Sequence, residues 1–113
     1  MTQEMTALKT AIIERFGTPC AVIDLDLVAR NIVTAQERCD AVGLANRPHI
    51  KTHKSPVLAN LQIKAGARGI TCQKLGEAEV MANAGITDII IATNLLGAAR
   101  SGRLAKLQRR LPL

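Results

Sequence analysis

Short apolar segments alternate with helix-forming segments from Arg47 onward, and this alternation constrains the fold more than any other feature of the chain. Strands are predicted over residues 48–51, 69–73 and 88–92, the last because three consecutive isoleucines are β-branched and apolar. Helices are predicted over 57–65, over 76–84 and from 98 to 110. Gly66 and Gly85 follow the first two helices, as C-terminal glycines commonly do. Such an order is typical of parallel βα units.

The number of these units limits the possible architectures. Three parallel strands cannot close into a barrel, and an open parallel sheet must be covered on both faces. An open doubly wound sheet would be the simplest complete fold for 113 residues, yet no Gly-x-Gly-x-x-Gly turn follows a predicted strand. The other parallel architecture, the (β/α)8 barrel, needs about 250 residues. On that alternative the chain is less than half of a domain.

The first part of the chain is predicted to hold two helices and one strand. Residues 1–17 form a helical lead-in that ends at Gly17, and residues 20–23 are apolar enough for a short strand. An amphipathic helix follows from Leu27 to about Val42, with Asp26 as its N-cap.

Composition argues against several classes of partner. The formal net charge is +6, but Phe16 is the single aromatic residue, so a stacking platform for nucleic acid is not expected. The basic residues among the last fourteen positions are predicted to face solvent on a helix, and attraction of phosphate or anionic lipid is the alternative; they are Arg100, Arg103, Lys106, Arg109 and Arg110. No apolar run is long enough to span a bilayer and no secretory signal pattern begins the chain, so we expect a cytoplasmic protein without membrane contacts.

Three widely spaced cysteines match neither a disulfide framework nor a zinc site. Cys20, Cys39 and Cys72 are instead predicted to occupy buried apolar positions in a reducing compartment.

Candidate functional residues follow the predicted strands, because functional groups gather at the carboxyl ends of parallel strands. This rule selects Lys51, Thr52 and His53, then Gln73 and Lys74, then Thr93 and Asn94. A partly desolvated lysine is a nucleophile toward carbonyl groups. Paired carboxylates, zinc spacing and a serine nucleophile elbow are all missing from the pattern. A carbonyl-capturing lysine remains, and a solvated basic loop is the alternative interpretation.

Three phrases together resemble the alanine racemase-like, fold-type III pyridoxal-phosphate enzymes. They are Thr18-Pro19-Cys20-Ala21-Val22-Ile23-Asp24-Leu25-Asp26, Arg47-Pro48-His49-Ile50-Lys51-Thr52-His53-Lys54-Ser55-Pro56 and Ile70-Thr71-Cys72-Gln73-Lys74-Leu75-Gly76-Glu77-Ala78-Glu79. The branch most similar to them contains D-threonine aldolases, 3-hydroxy-D-aspartate aldolases and D-serine dehydratases. The resemblance extends from Thr18 to about Gly97.

This resemblance implies an α/β fold made of about the first three βα units of a (β/α)8 barrel. Residues 1–113 would be a truncated N-terminal part of the cofactor-binding domain, with a helical lead-in (1–17), a strand and helix (18–46) and βα units (47–113). The rest of the barrel and a β-domain would lie outside the chain, which we expect to be a fragment with little turnover alone.

The resemblance also implies roles for individual residues. Lys51 would hold pyridoxal phosphate as a Schiff base, with Lys54 as the second choice. His53 would orient the cofactor or the substrate carboxylate, and Gln73 would bond the phenolic oxygen of the cofactor. Thr93 is a further candidate cofactor contact, and capping is the expected role of Glu77.

The implied activity is that of a lyase on D-amino acids, either aldol cleavage or dehydration. An amino-acid racemase and a non-catalytic cofactor carrier remain alternatives, and a nucleic-acid-binding fragment is a weaker one. A divalent metal, zinc or manganese, is expected in the full-length parent through ligands outside this chain. That parent is expected to be a monomer or a homodimer.

Overall fold

The computed structural model describes residues 2–111, so the first position of the predicted lead-in, Met1, lies outside the described residues, as do Pro112 and Leu113. Five α-helices, one short 3₁₀ helix and two strands follow one another along the chain. They are α1 (Gln3–Phe16), α2 (Leu25–Asp40), the 3₁₀ helix Ile50–Thr52, α3 (Pro56–Lys64), β1 (Ile70–Cys72), α4 (Leu75–Asn83), β2 (Ile89–Ile91) and α5 (Ala98–Gln108). The fold is therefore of mixed α/β type.

The two strands are parallel and directly adjacent, with Ile70 opposite Ile89 and Cys72 opposite Ile91. On the other side of β1, His49 forms a single parallel bridge with Thr71, and Thr71 N donates to Pro48 O at 2.8 Å. The three predicted strand positions thus lie side by side, in chain order and in the same direction.

The apolar core comes from residues after position 49. Its buried members are Ile50, Ala59, Ile70, Cys72, Leu75, Ala78, Met81, Ile86 and Leu107. They come from the 3₁₀ helix, from β1, from the segment before β2 and from α3, α4 and α5. The βα units therefore share one core. Helix α1 contributes no buried residue, and α2 buries only Gln36.

The buried amide of Gln36 on α2 is hydrogen-bonded by its own helix and by the loop that follows. The Gln36 side chain donates to Asp40 Oδ1 at 2.8 Å and accepts from Asn46 Nδ2 at 3.1 Å. A Cβ at Gly66, which has φ of +115°, would lie 3.2 Å from Gln36 Cδ. Glycine therefore serves two purposes there, ending α3 with a positive φ and leaving room for the buried amide.

Two strand predictions and one cap prediction are wrong. Residues 20–23 form no strand and are exposed, because no segment among residues 2–111 supplies the backbone partners that a strand requires. Residues 48–51 shrink to the His49 bridge, since Pro48 has no N–H and the chain turns into the 3₁₀ helix at Ile50. The N-cap of α2 is Asp24 rather than Asp26: Asp24 Oδ1 accepts from Leu27 N at 3.0 Å.

Of the three cysteines predicted to be buried, only Cys72 is fully so. Cys39 is half-buried and Cys20 is exposed, because the segment around Cys20 contributes nothing to the apolar core of residues 2–111. None of the helices among the described residues has the length and apolar character needed to cross a membrane.

Candidate functional site

An open cavity of about 500 Å³ lies at the carboxyl ends of β1 and β2. Its wall is built from the residues that follow each strand and from the first turns of α4 and α5. The lining residues are Lys54, Gln73, Lys74, Leu75, Gly76, Glu77, Thr93, Asn94, Leu95, Arg100 and Arg103. This is the edge at which parallel α/β folds place their functional groups.

Lys51 is exposed and does not line this cavity; it lies within the 3₁₀ helix that follows the His49 bridge. Its backbone N–H donates to His49 Nδ1 at 3.2 Å, and His49 Nε2 is 3.3 Å from Gln73 Oε1. Because Nδ1 accepts a hydrogen bond, the neutral His49 ring carries its hydrogen on Nε2, which donates a hydrogen bond to the Gln73 amide oxygen. His49 thus connects the backbone of Lys51 to the cavity wall.

His53 packs toward α3 and does not line the cavity. Its Nδ1 accepts from Ser55 N at 3.0 Å, so the neutral ring carries its hydrogen on Nε2. That Nε2 and Gln62 Oε1 are both buried without a well-formed hydrogen bond. Burial lowers the pKa of His53, and the nearby Gln62 side chain opposes this only in part.

Among residues 2–111, Glu77 is the one carboxylate in the cavity wall, and its oxygens already accept hydrogen bonds or face a cation. Oε2 accepts from the backbone N–H groups of Gln73 at 2.8 Å and Lys74 at 3.3 Å, and Oε1 is 3.5 Å from Lys54 Nζ. Burial raises the pKa of Glu77, but these bonds together with Lys54 outweigh it, and the net pKa is lowered. The predicted capping role of Glu77 is therefore confirmed.

The structure brings together some of the predicted site residues and leaves others apart. Gln73 and Thr93 share the cavity wall with Lys54, the second-choice lysine. Lys51 is linked to that wall through His49 but does not line it, and His53 faces α3.

The contribution of α5 to this cavity was not predicted. Arg100 and Arg103, predicted mainly to face solvent, belong to the cavity wall because α5 begins shortly after Thr93 and Asn94, which follow β2. Their spacing of three residues on a helix, which places them on one face, was the available signal. Arg103 also forms an ion pair with Glu79 on α4.

No group of three or more histidine, cysteine, aspartate or glutamate side chains among residues 2–111 is arranged to hold a metal ion. The cavity wall instead offers cationic and neutral hydrogen-bonding groups, which suit a phosphate or carboxylate ligand.

Comparison with known proteins identifies relatives for most of the chain. It is 53% identical over 78 residues to the D-threo-3-hydroxyaspartate dehydratase of Delftia sp. (strain HT23), covering 69% of this chain and 20% of that enzyme. It is 42% identical over 95 residues to the D-threonine aldolase of Arthrobacter sp., covering 84% of this chain and 25% of that enzyme. No family model matches the sequence.

The fold is shared as well. The crystal structure of D-threonine aldolase from Filomicrobium marinum superposes with a TM-score of 0.81 at 40% sequence identity, covering 83% of this chain and 26% of that one. The chain thus spans about a quarter of the length of the relatives it matches. In sequence and in fold, the chain is related to the D-threonine aldolase and D-threo-3-hydroxyaspartate dehydratase branch of the fold-type III pyridoxal-phosphate enzymes, as its three motifs predicted.

Proposed function

We propose that this chain is the lysine-bearing portion of a pyridoxal-phosphate-dependent lyase that acts on D-amino acids with a β-hydroxyl group. The relatives named above are an aldolase and a dehydratase, and the substrate in each enzyme's name is a hydroxy amino acid. The observation that carries the proposal is the position of Lys51. Lys51 follows the first parallel bridge, and its backbone N–H is connected through the His49 ring to Gln73 at the carboxyl edge of the sheet.

The residues at this edge fit the cofactor chemically. Lys51 supplies a primary amine for the aldehyde, and Gln73 and Thr93 supply neutral hydrogen-bonding groups for ring substituents. Bound pyridoxal phosphate would withdraw electrons from the bond broken at the α or β carbon of the substrate.

Within this proposal His53 acts on the loop that carries Lys51. Its neutral ring holds Ser55 N and faces Gln62, so it fixes the path of the chain between the 3₁₀ helix and α3. A direct contact of His53 with the cofactor or with the substrate carboxylate stays a prediction.

The larger architecture is part of the proposal too. The parallel order of the His49 bridge, β1 and β2 supports the first units of a (β/α)8 barrel, within the division 1–17, 18–46 and 47–113. The unpaired outer edge of β2 and the exposed residues 20–23 would then contact parts of the longer enzyme. A divalent metal, a monomeric or homodimeric parent and a cytoplasmic location complete the proposal.

The test is covalent trapping of the cofactor on the 113-residue chain. The protein is mixed with substoichiometric pyridoxal phosphate and reduced with borohydride, and the modified peptide is located by mass spectrometry. We expect the tag on Lys51 and its loss in Lys51→Ala. Lys54→Ala is the matched control, since Lys54 lies three positions away and lines the cavity.

Lys54→Ala should keep the tag on Lys51. Two results would contradict the assignment of Lys51: a tag spread evenly over the surface lysines, or a tag found mainly on Lys54 in the unsubstituted protein.

A further inference from the structure

The cavity at the carboxyl ends of β1 and β2 carries more positive charge than its own carboxylate balances. Four cationic side chains line it, namely Lys54, Lys74, Arg100 and Arg103, against the single carboxylate of Glu77. We propose that Lys74 and Arg100 form a binding site for a small dianion, either a phosphate monoester or a dicarboxylate. This site extends the proposed function. Only the identity of its natural ligand rests on that proposal.

Two of the four cations are already neutralised by carboxylates. Lys54 Nζ lies 3.5 Å from Glu77 Oε1, and Arg103 Nε donates to Glu79 Oε1 at 3.0 Å. The second guanidinium nitrogen of Arg103 bonds the other oxygen of Glu79, so the pair is bidentate. These two side chains can orient a ligand, but most of their charge is already neutralised by Glu77 and Glu79.

Lys74 and Arg100 are different. Within residues 2–111, neither side chain has a carboxylate partner or a hydrogen bond, and both are exposed on the cavity wall. Glu77 contacts neither of them, since its oxygens accept from two backbone N–H groups and face Lys54. Among the described residues, these two cations are therefore left to a ligand or to water.

The start of α5 adds to this field. Gly97 is the N-cap of that helix and offers no side-chain acceptor to its first backbone N–H groups. The positive end of an eleven-residue helix dipole therefore lies three residues before Arg100. Dipole and guanidinium attract an anion at the same place.

Shape and size distinguish the site from a generally basic surface. The cations line a concavity of about 500 Å³, which is within the usual range for small-molecule sites. Lys106 and Arg109, on or directly after the same helix, lie outside the lining. A concave cluster with neutral Thr93 and Asn94 beside it suits a compact polyanion that is bonded from several sides.

Two sources could supply such a dianion next to Lys51. One is the phosphate of the cofactor, and the other is a substrate with a second carboxylate, such as a hydroxyaspartate. Both present oxygens to the same cations, so the shared chemistry defines the site, and the relative affinities for the two anions distinguish the sources.

The experiment titrates the 15N-labelled chain with inorganic phosphate and, separately, with succinate, and follows backbone amide shifts in NMR spectra. We expect saturable shifts at Gly76, Thr93 and Asn94. Lys74→Gln and Arg100→Gln should each weaken binding by about tenfold, the usual cost of losing one charge-assisted hydrogen bond. Lys106→Gln, which removes a cation of α5 outside the cavity, should leave the affinity unchanged.

Tighter binding of succinate indicates a substrate carboxylate, and tighter binding of phosphate indicates a phosphate group; either result supports the site. Non-saturating shifts, or equal losses in Lys106→Gln and Arg100→Gln, would overturn it. Lys51→Ala should bind both anions with unchanged affinity. The anion titration therefore tests Lys74 and Arg100 even if the cofactor is not trapped on Lys51.

Discussion

Arg47 and Asp88 close the amino-terminal edge of the sheet with a bidentate ion pair that passes over β1. Arg47 Nη1 is 2.6 Å from Asp88 Oδ1, and Nη2 is 3.0 Å from Oδ2. The Asp88 backbone oxygen accepts from Ile70 N at 3.0 Å, so the same residue also starts the β1–β2 ladder. The pair lies at the end of the strands opposite the cavity, where residues in parallel α/β folds usually serve stability.

The first prediction concerns the pH dependence of this pair. The hydrogen bonds from Arg47 lower the pKa of Asp88, so the pair's contribution is present above the unfolded-state pKa and is lost as the pH falls through the folded-state value. Because Asp88 is half exposed, Asp88→Asn should cost at most about 1 kcal/mol at pH 7. Urea unfolding should show this difference shrinking as the pH falls below the ordinary value of an aspartate carboxyl.

Glu14→Gln is the control for that experiment. Glu14 is an exposed carboxylate on α1, so its replacement should leave the free energy of unfolding nearly unchanged at pH 7. A constant loss in Asp88→Asn from pH 7 to pH 3 would show that the ion pair does not stabilise the fold.

The second prediction concerns the glycine beneath this pair. A Cβ at Gly69 would lie 2.4 Å from the Asp88 carbonyl oxygen and 2.2 Å from Arg47 Nη1. Gly69→Ala should therefore lose more than about 2 kcal/mol of stability, since a backbone atom must shift. Gly102→Ala is its counterpart within α5, with no atom within 4 Å of the new Cβ, and it should gain about 0.5–1 kcal/mol through helix propensity. Thermal melts of both variants give the comparison, and similar melting temperatures would contradict it.

The strands show what could be predicted locally. Residues 70–72 and 89–91 were recognised because each run is short, largely β-branched and bounded by turn residues. Residues 20–23 are equally apolar, yet they form no strand. Their composition reports a preference, whereas a strand also needs a partner at a distance, and no local pattern encodes that partner.

The candidate site likewise contains residues that local sequence predicts and residues that only tertiary packing places there. Gln73 and Thr93 were predicted from their positions directly after strands, and both line the cavity. Arg100 and Arg103 were not, because their place in the wall depends on how α5 packs against α4. The ion pair between Arg103 and Glu79 belongs to that packing and joins residues 24 positions apart.

The third prediction concerns His53. Burial lowers its pKa, so the folded state favours the neutral ring, and stability should fall as the pH drops below the unfolded-state pKa of about 6.5. His53→Asn keeps a short acceptor for Ser55 N and removes the titrating group, so its melting temperature should vary less between pH 7 and pH 5. His53→Ala loses the bond to Ser55 N and should cost about 1 kcal/mol at pH 7.

These two variants separate the titration from the hydrogen bond. If His53→Asn shows the same decline in melting temperature with falling pH as the unmodified chain, the buried ring is not its source.

The last prediction concerns thiol reactivity, which reports directly on the core. Burial and the charge of Glu77 raise the pKa of Cys72 to about 11, whereas Cys20 is exposed. Only the thiolate reacts with maleimides, so the raised pKa alone leaves Cys72 roughly a hundredfold less reactive at neutral pH than an unperturbed thiol. Burial against Ile70 and Met81 protects it further.

Labelling followed by mass spectrometry should therefore modify Cys20 first, the half-buried Cys39 next and Cys72 only after denaturant is added. Cys20→Ser removes the fast phase and gives a clean baseline for the core thiol. Since Cys72 ends β1 and packs against α4, its protection requires that the sheet and this helix be assembled. Rapid modification of Cys72 in the native chain would mean that the βα units, and with them the cavity at their carboxyl edge, are not formed.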